Sequence, residues 1–234
     1  MKKTLLFFAT FGLLFTFLLS APADILAQRG EVVAGGNISV GIPQGPFQDQ
    51  LDEIGLGLNV MGGYLLPGAP VMLGLDLGFS IFGIDRRSEP LSPTIPDLRV
   101  DVENSYNMLN TMFLLRTTGR SGVFRPYVDA LVGFNYLFTQ TVVRSRGTQE
   151  EFARDTNFDD FAFAYGLGAG MQYRVYRHRG TNIFLNIQSR YILGGEADYL
   201  RPGSITVSNG QVNFDVSRSR TDMLYFQIGV VAAF

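Results

Sequence analysis

The sequence predicts an all-β fold, an eight-stranded antiparallel up-and-down transmembrane β-barrel. Three observations predict it. Eight stretches alternate apolar residues with polar or small ones at period two, the spacing that puts each set on its own strand face. The polar faces carry Gly, Asn, Gln, Asp and Arg, and lysine is absent after Lys3. The links between the stretches alternate between short and long.

The first segment stands apart from the fold. Met1-Lys2-Lys3 is followed by the apolar run TLLFFATFGLLFTFLLS and the small-residue stretch APADILAQ. A basic start, an apolar core and small residues make up a secretory signal peptide. The apolar run is shorter than the ~20 residues of a spanning helix. Cleavage after Ala23 and cleavage after Ala27 both satisfy the pattern. Residues 1–27 are therefore read as a signal peptide and 28–234 as the barrel domain.

The strands follow in order. The first, near Val32–Ile42, sets Ala34, Ile38 and Val40 against Asn37 and Ser39. The second, Ile54–Leu65, sets Leu56, Leu58 and Val60 against Gly57, Asn59 and Met61. The third, Val71–Phe82, alternates Leu73, Leu75, Leu77 and Phe79 with Gly74, Asp76, Gly78 and Ser80. The fourth, Ser105–Thr117, opposes Leu109, Phe113 and Leu115 to Asn110, Met112 and Arg116. The fifth follows Pro126, with Val128, Val132 and Phe134 against Asp129, Gly133 and Asn135. The sixth runs from Phe161 to Arg174 and has Gly166, Gly168, Gly170 and Arg174 on its polar face. The seventh, Asn182–Tyr191, presents Asn186, Gln188 and Arg190. The eighth closes the chain, with Phe226, Ile228, Val230 and Phe234 on its apolar face.

The environment follows from the faces. A soluble sandwich turns its apolar faces inward and decorates the outside with Lys and Glu. A membrane barrel reverses this, with apolar side chains toward lipid and polar or small ones toward the lumen. The stretches also approach the 9–11 residues that a tilted membrane strand needs. The links LPGAP, TGRSGVFR and RHRG are short; those over Gly83–Asn104, Thr141–Asp160 and Gly194–Thr221 are long and charged. Short turns on the periplasmic side and long loops outside are the barrel arrangement. An even strand count places both termini in the periplasm of a Gram-negative-type cell.

A terminal strand ending at Phe234, with Phe226, Ile228 and Val230 at alternate positions, resembles the C-terminal assembly signal of bacterial outer-membrane proteins. The stretch RPYVDALVGFNYLF resembles a strand of the OmpA/OmpX-like outer-membrane barrel family. The resemblance implies an outer-membrane location and a final aromatic read by the barrel insertion machinery. It ends at the barrel, so a peptidoglycan-binding domain and anchoring to the wall are not implied. Outer-membrane lipid and lipopolysaccharide are the partners it implies.

Composition bounds the chemistry. There is no cysteine, which removes disulfides, thiolate metal sites and thiol catalysis. A formal net charge of −2 gives no global field for nucleic acid. No cofactor or metal is expected. The only histidine, His178, falls in the short turn RHRG, at the end opposite the outward loops. A histidine base at the outer rim is thus not available, and no catalytic residue is assigned. An outer-membrane enzyme would have to use carboxylates such as Asp159 and Asp160. Asp76, Arg116, Asp129, Arg174 and Arg190 all fall on the polar face. They are expected to form an interior charge cluster near the periplasmic end, with Arg116, Asp129 and Arg174 at similar depth. Eight strands leave an interior only wide enough for side chains, so the cluster is read as a structural plug. A gate in a narrow, porin-like channel for small solutes is the alternative. Within Gly194–Thr221, Asn209-Gly210 between alternating apolar residues predicts a β-hairpin, a candidate edge for an extracellular partner. The segment Arg144–Asp160 is a candidate for lipopolysaccharide phosphates or divalent ions. The expected role is structural or adhesion-like.

Overall fold

The computed structural model describes residues 30–92, 95–119, 122–145, 151–178, 180–208 and 211–234. The expected signal peptide, 1–27, lies outside them. The described chain forms β1 (Glu31–Pro43), α1 (Pro46–Gln50), β2 (Gly55–Leu65), β3 (Val71–Ser92), β4 (Ile95–Thr118), β5 (Phe124–Ser145), β6 (Glu151–His178), β7 (Thr181–Gly194), β8 (Glu196–Tyr199), β9 (Ile205–Ser208), β10 (Gln211–Phe214), β11 (Ser217–Arg220) and β12 (Met223–Ala233).

Eight of these strands close a barrel in the order β1-β12-β7-β6-β5-β4-β3-β2. Every neighbour in the wall is antiparallel, and the first and last strands pair along the seam from Val33↔Ala233 to Pro43↔Met223. Closure leaves no free strand edge in the wall, a requirement for any sheet that spans lipid. Among the described residues no helix is long and apolar enough to cross a membrane.

The alternation decides which side each residue faces. Leu56, Leu58, Leu73, Leu77, Phe113, Val132, Leu167, Ile187 and Ile228 stand on the exposed outside. Asn37, Asn59, Asp76, Asn110, Arg116, Asp129, Asn186 and Arg190 are buried inside. This is the polarity of a membrane-spanning barrel, with an apolar belt outside and a polar interior.

The wall is not of even height. β1, β2, β7 and β12 are 11 to 14 residues long, whereas β3 to β6 run for 22 to 28. The expected loops over Gly83–Asn104 and Thr141–Asp160 are therefore largely strand, a correction to the sequence reading. β2 stops pairing with β3 at Leu56↔Ile81, and β3 continues from Phe82 to Ser92 against β4. That is roughly 35 Å of extended chain at about 3.3 Å per residue. The β4–β5 and β5–β6 ladders continue to Val100↔Ser145 and Arg144↔Glu151. A four-stranded sheet thus rises beyond the belt on one side of the mouth.

Candidate functional site

A closed ring of hydrogen-bonded side chains fills the middle of the lumen. Asn37 Nδ2 donates to Asn59 Oδ1 at 3.0 Å, and Asn59 Nδ2 donates to Asp76 Oδ1 at 2.7 Å. Arg190 bridges the two acids, from Nη1 to Asp76 Oδ2 at 2.8 Å and from Nη2 to Asp129 Oδ2 at 3.2 Å. Arg116 grips Asp129 with two parallel bonds, Nε to Oδ1 at 2.7 Å and Nη2 to Oδ2 at 2.8 Å. Its Nη2 also reaches Gln188 Oε1 at 3.2 Å. The Tyr127 hydroxyl lies 2.8 Å from the same Gln188 oxygen and 2.7 Å from Asn186 Oδ1. Asn186 Nδ2 returns to Asn37 Oδ1 at 2.8 Å. Gln188 donates onward to Gln227 of β12.

The charges balance within this ring. Two arginines meet two aspartates, and each of the four is at most 3% exposed. Charges taken out of water need good geometry and further hydrogen bonds to offset desolvation, and the forked Arg116–Asp129 pair meets that need. The Arg116 guanidinium also lies 3.7 Å from the centre of the Tyr127 ring, over its face.

The glycines of β6 make room for the ring. β6 faces the cluster with Gly168, opposite both Asp129 and Arg190 in the ladders. A Cβ on Gly168 would lie 2.6 Å from Arg190 Cγ, and one on Gly170 would strike the Tyr127 hydroxyl. Small residues on this strand therefore match large polar ones on its neighbours.

Side chains also cross the lumen above and below this level. Toward the outward mouth, the Tyr225 hydroxyl donates to Asn110 Oδ1 at 3.1 Å, and Asn110 Nδ2 donates to Asn135 Oδ1 at 2.7 Å. A cavity of about 20 Å³ lined by Asn59, Asp76, Asn110, Arg190 and Tyr225 separates the two levels, room for about one water molecule. Toward the turns, Arg125 packs 4.7 Å over the Phe184 ring and lies 3.8 Å from Glu31.

The mouth is roofed by two segments. α1 follows Gly45, whose φ of 57° suits glycine, and drives Phe47 wholly inside. Phe47 meets Phe82 and Tyr199 edge-on, at 6.1 and 5.1 Å between ring centres. Burial pushes the Tyr199 phenol above its ordinary range, and its hydroxyl pairs with Ser219 at 2.8 Å. The second segment is the excursion between β7 and β12. It starts as the hairpin β8–β11 and crosses the mouth toward β3 and β4, where Leu200 and Ile205 pack with Tyr106. The Gly203 amide donates to Asp85 Oδ2 at 2.7 Å, and the Tyr106 hydroxyl donates to the same oxygen at 2.9 Å. Beyond this contact β9 and β10 pair from Ile205↔Phe214 to Ser208↔Gln211, the hairpin expected from the sequence. Its turn, Asn209-Gly210, lies outside the described residues.

Four of the five expected interior charges come together: Asp76, Arg116, Asp129 and Arg190. Arg174 does not join them, contrary to the expected similar depth. The β6 residue opposite Asp129 is Gly168, and Arg174 lies roughly 20 Å further along the strand at about 3.3 Å per residue. Arg174 instead sits by the turn, its amide bonded to Val123 O at 2.8 Å. Phe226, Ile228, Val230 and Phe234 all point outward. His178 is exposed in the β6–β7 turn, its ring 6.2 Å from that of Tyr176. Of the segment Arg144–Asp160, residues 146–150 lie outside the described ones. Asp159 accepts the Tyr136 hydroxyl at 3.2 Å, and Asp160 accepts the Asp198 amide at 2.8 Å. Both acids thus take part in holding the outer rim together.

Sequence reasoning missed Phe47 and the ring partners Tyr127, Asn186 and Gln188. The three partners could have been found, since they share the polar face with the charged residues. Phe47 carried no signal beyond being an aromatic in a short, non-periodic link.

No protein-family model and no curated protein matches the sequence. Among solved structures the chain is similar to neisserial surface protein A, at 12% identity over 87% of this chain and 95% of that one, with a TM-score of 0.39. It is also similar to Ail of Yersinia pestis, solved with the heparin analogue sucrose octasulfate, at 15% identity over 88% and 97%, TM-score 0.34. A major outer-membrane protein of Thermus thermophilus shares 11% over 87% and 99%, TM-score 0.35. The fold itself is settled by the chain's own closed strand order and inverted polarity: a small eight-stranded barrel of the outer-membrane type.

Proposed function

We propose that this chain is an outer-membrane barrel with a structural and surface-interaction role, exported by residues 1–27 and inserted with both termini in the periplasm. Phe226, Ile228, Val230 and Phe234 serve as its assembly signal for the insertion machinery. The lumen is a plug. The observation that carries this reading is the unbroken hydrogen-bonded ring from Asn37 round to Asn186, with Phe47 seated above it. Side chains occupy the described levels of the interior, which supports a plug over a water path or a substrate cleft. Interaction then falls to what stands above the belt, namely the extensions of β3 to β6, the β9–β10 hairpin and the roof. The extensions carry ladder groups that no described strand covers on the outer side of β3 past Ile81, and such edges accept an added strand. Lipopolysaccharide meets the same rim.

Planar-bilayer recording tests the plug. The reconstituted barrel is expected to give no steady conductance above that of the empty membrane, and a steady current would overturn the reading. Deletion of Ser204–Asp215 tests the surface role, and unchanged adhesion to host or abiotic surfaces would sink the hairpin's part in it.

A further inference from the structure

Arg174 and Arg177 belong to the lumen and not to the outer wall. The ladder sets Arg174 opposite Phe184 and Arg177 opposite Asn182, both buried lumen residues. Arg174 is half-buried and Arg177 is exposed. Arg125 of β5 joins them. It is 6% exposed, lies 4.7 Å over the same Phe184 ring, and is close enough to Arg174 and Arg177 to feel their repulsion. Tyr127 of the polar ring is the next lumen residue of β5. Three guanidinium groups thus gather at the turn-end mouth of the lumen, directly beneath the ring.

The cluster is short of acceptors. Among the described residues of this end, Glu31 is the only acidic side chain, and its carboxylate stands 3.8 Å from Arg125 Nη1. Three cations against one acid leave two positive charges over. Buried Arg125 Nε has no hydrogen-bond partner among the described residues. A buried donor without an acceptor is costly, and like charges gathered in one place select an anionic counterpart. One ligand relieves both strains, namely a compact oxyanion with several acceptor oxygens and a double charge. Phosphate is of this kind, and planar guanidinium donors match its oxygens in pairs. The barrel wall stands between the cluster and lipid, so the anion enters from the water at the turn end.

We infer that Arg125, Arg174 and Arg177 form a cup for a soluble phosphate-type oxyanion at the turn-end mouth of the lumen. The bound anion ties β5 to β6 and cancels the charge left over there. The site does not depend on the plug above it, since conductance and phosphate binding are separate measurements.

Isothermal titration calorimetry with inorganic phosphate tests the cup, on the barrel folded in a non-ionic detergent at fixed low ionic strength. Wild type is expected to bind phosphate saturably. R174Q/R177Q should bind it about tenfold more weakly or worse, since each arginine takes a charge-assisted hydrogen bond with it. E31Q should bind about threefold more tightly or better, because it removes the negative charge beside the cluster. Heat-modifiable gel migration checks that each variant is folded. Phosphatidylglycerol added to the micelles should leave the phosphate affinity unchanged, and competition by it would move the site to the wall and overturn the cup. So would any of three other results: no saturable binding by wild type, undiminished binding by folded R174Q/R177Q, or no gain in folded E31Q.

Discussion

The middle of the lumen and the turn-end rim hold arginine in opposite ways. Arg116 and Arg190 are enclosed, the first forked onto Asp129 and the second bridging Asp129 and Asp76, and they sum with the acids to zero charge. Arg174 and Arg177 stand at the edge of the belt without acids among the described residues. The difference teaches what each place demands. Inside, no water can solvate a guanidinium, so the sequence must supply its counter-charge. At the rim, water does so, and the chain can leave cations unmatched.

Asp129→Ala should break this contrast most severely, because it strands the Arg116 guanidinium and leaves Arg190 with Asp76 alone. We expect a loss of about 3–5 kcal/mol, read as a lower urea midpoint for unfolding from vesicles. The double variant R116M/D129L sharpens the point. It removes one charge of each sign and should cost at least about 2 kcal/mol less than Asp129→Ala, since apolar replacement of both partners is tolerated far better than removal of one. Equal losses would show that the forked pair matters for something other than charge balance. Gly168→Val tests the room that β6 leaves. Its Cβ would crowd Arg190 at 2.6 Å, and the expected cost is about 1–3 kcal/mol in the same assay. Arg177→Gln at the rim should change stability by no more than about 0.5 kcal/mol. Smallest of all is Arg218→Gln. It breaks the exposed 3.3 Å pair with Glu196, worth a few tenths of a kcal/mol by the usual measure of such pairs.

How much of this was legible in the sequence depends on whether lipid was present to impose a pattern. Inside the belt one face must be apolar, so Leu73, Leu77 and Phe79 announce β3 and place Asp76 in the lumen. Past Ile81 the constraint ends. The ladder shifts register between Ile81 and Gly83, and IDRRSEP no longer alternates, so the extended strand reads as a loop. The charged partners were legible as a set because they share the inward face. Depth was not legible. It depends on strand register, and the ladder that sets Gly168 beside Asp129 moves Arg174 to the rim. α1 escaped because its seating depends on Phe82 and Tyr199, distant in sequence, and not on any local period.

The polar ring also bears on how the barrel is put together. Its members come from both ends of the chain: Asn37 stands on the first strand, Asn186 on the seventh wall strand and Gln227 on the last. A half-built wall, open at the β1–β12 seam, would leave Asn37, Gln188 and Gln227 facing hydrocarbon or an incomplete lumen with their amides unmatched. The penalty disappears when the seam zips shut. The interior hydrogen bonds therefore favour the closed cylinder over one open at the β1–β12 seam.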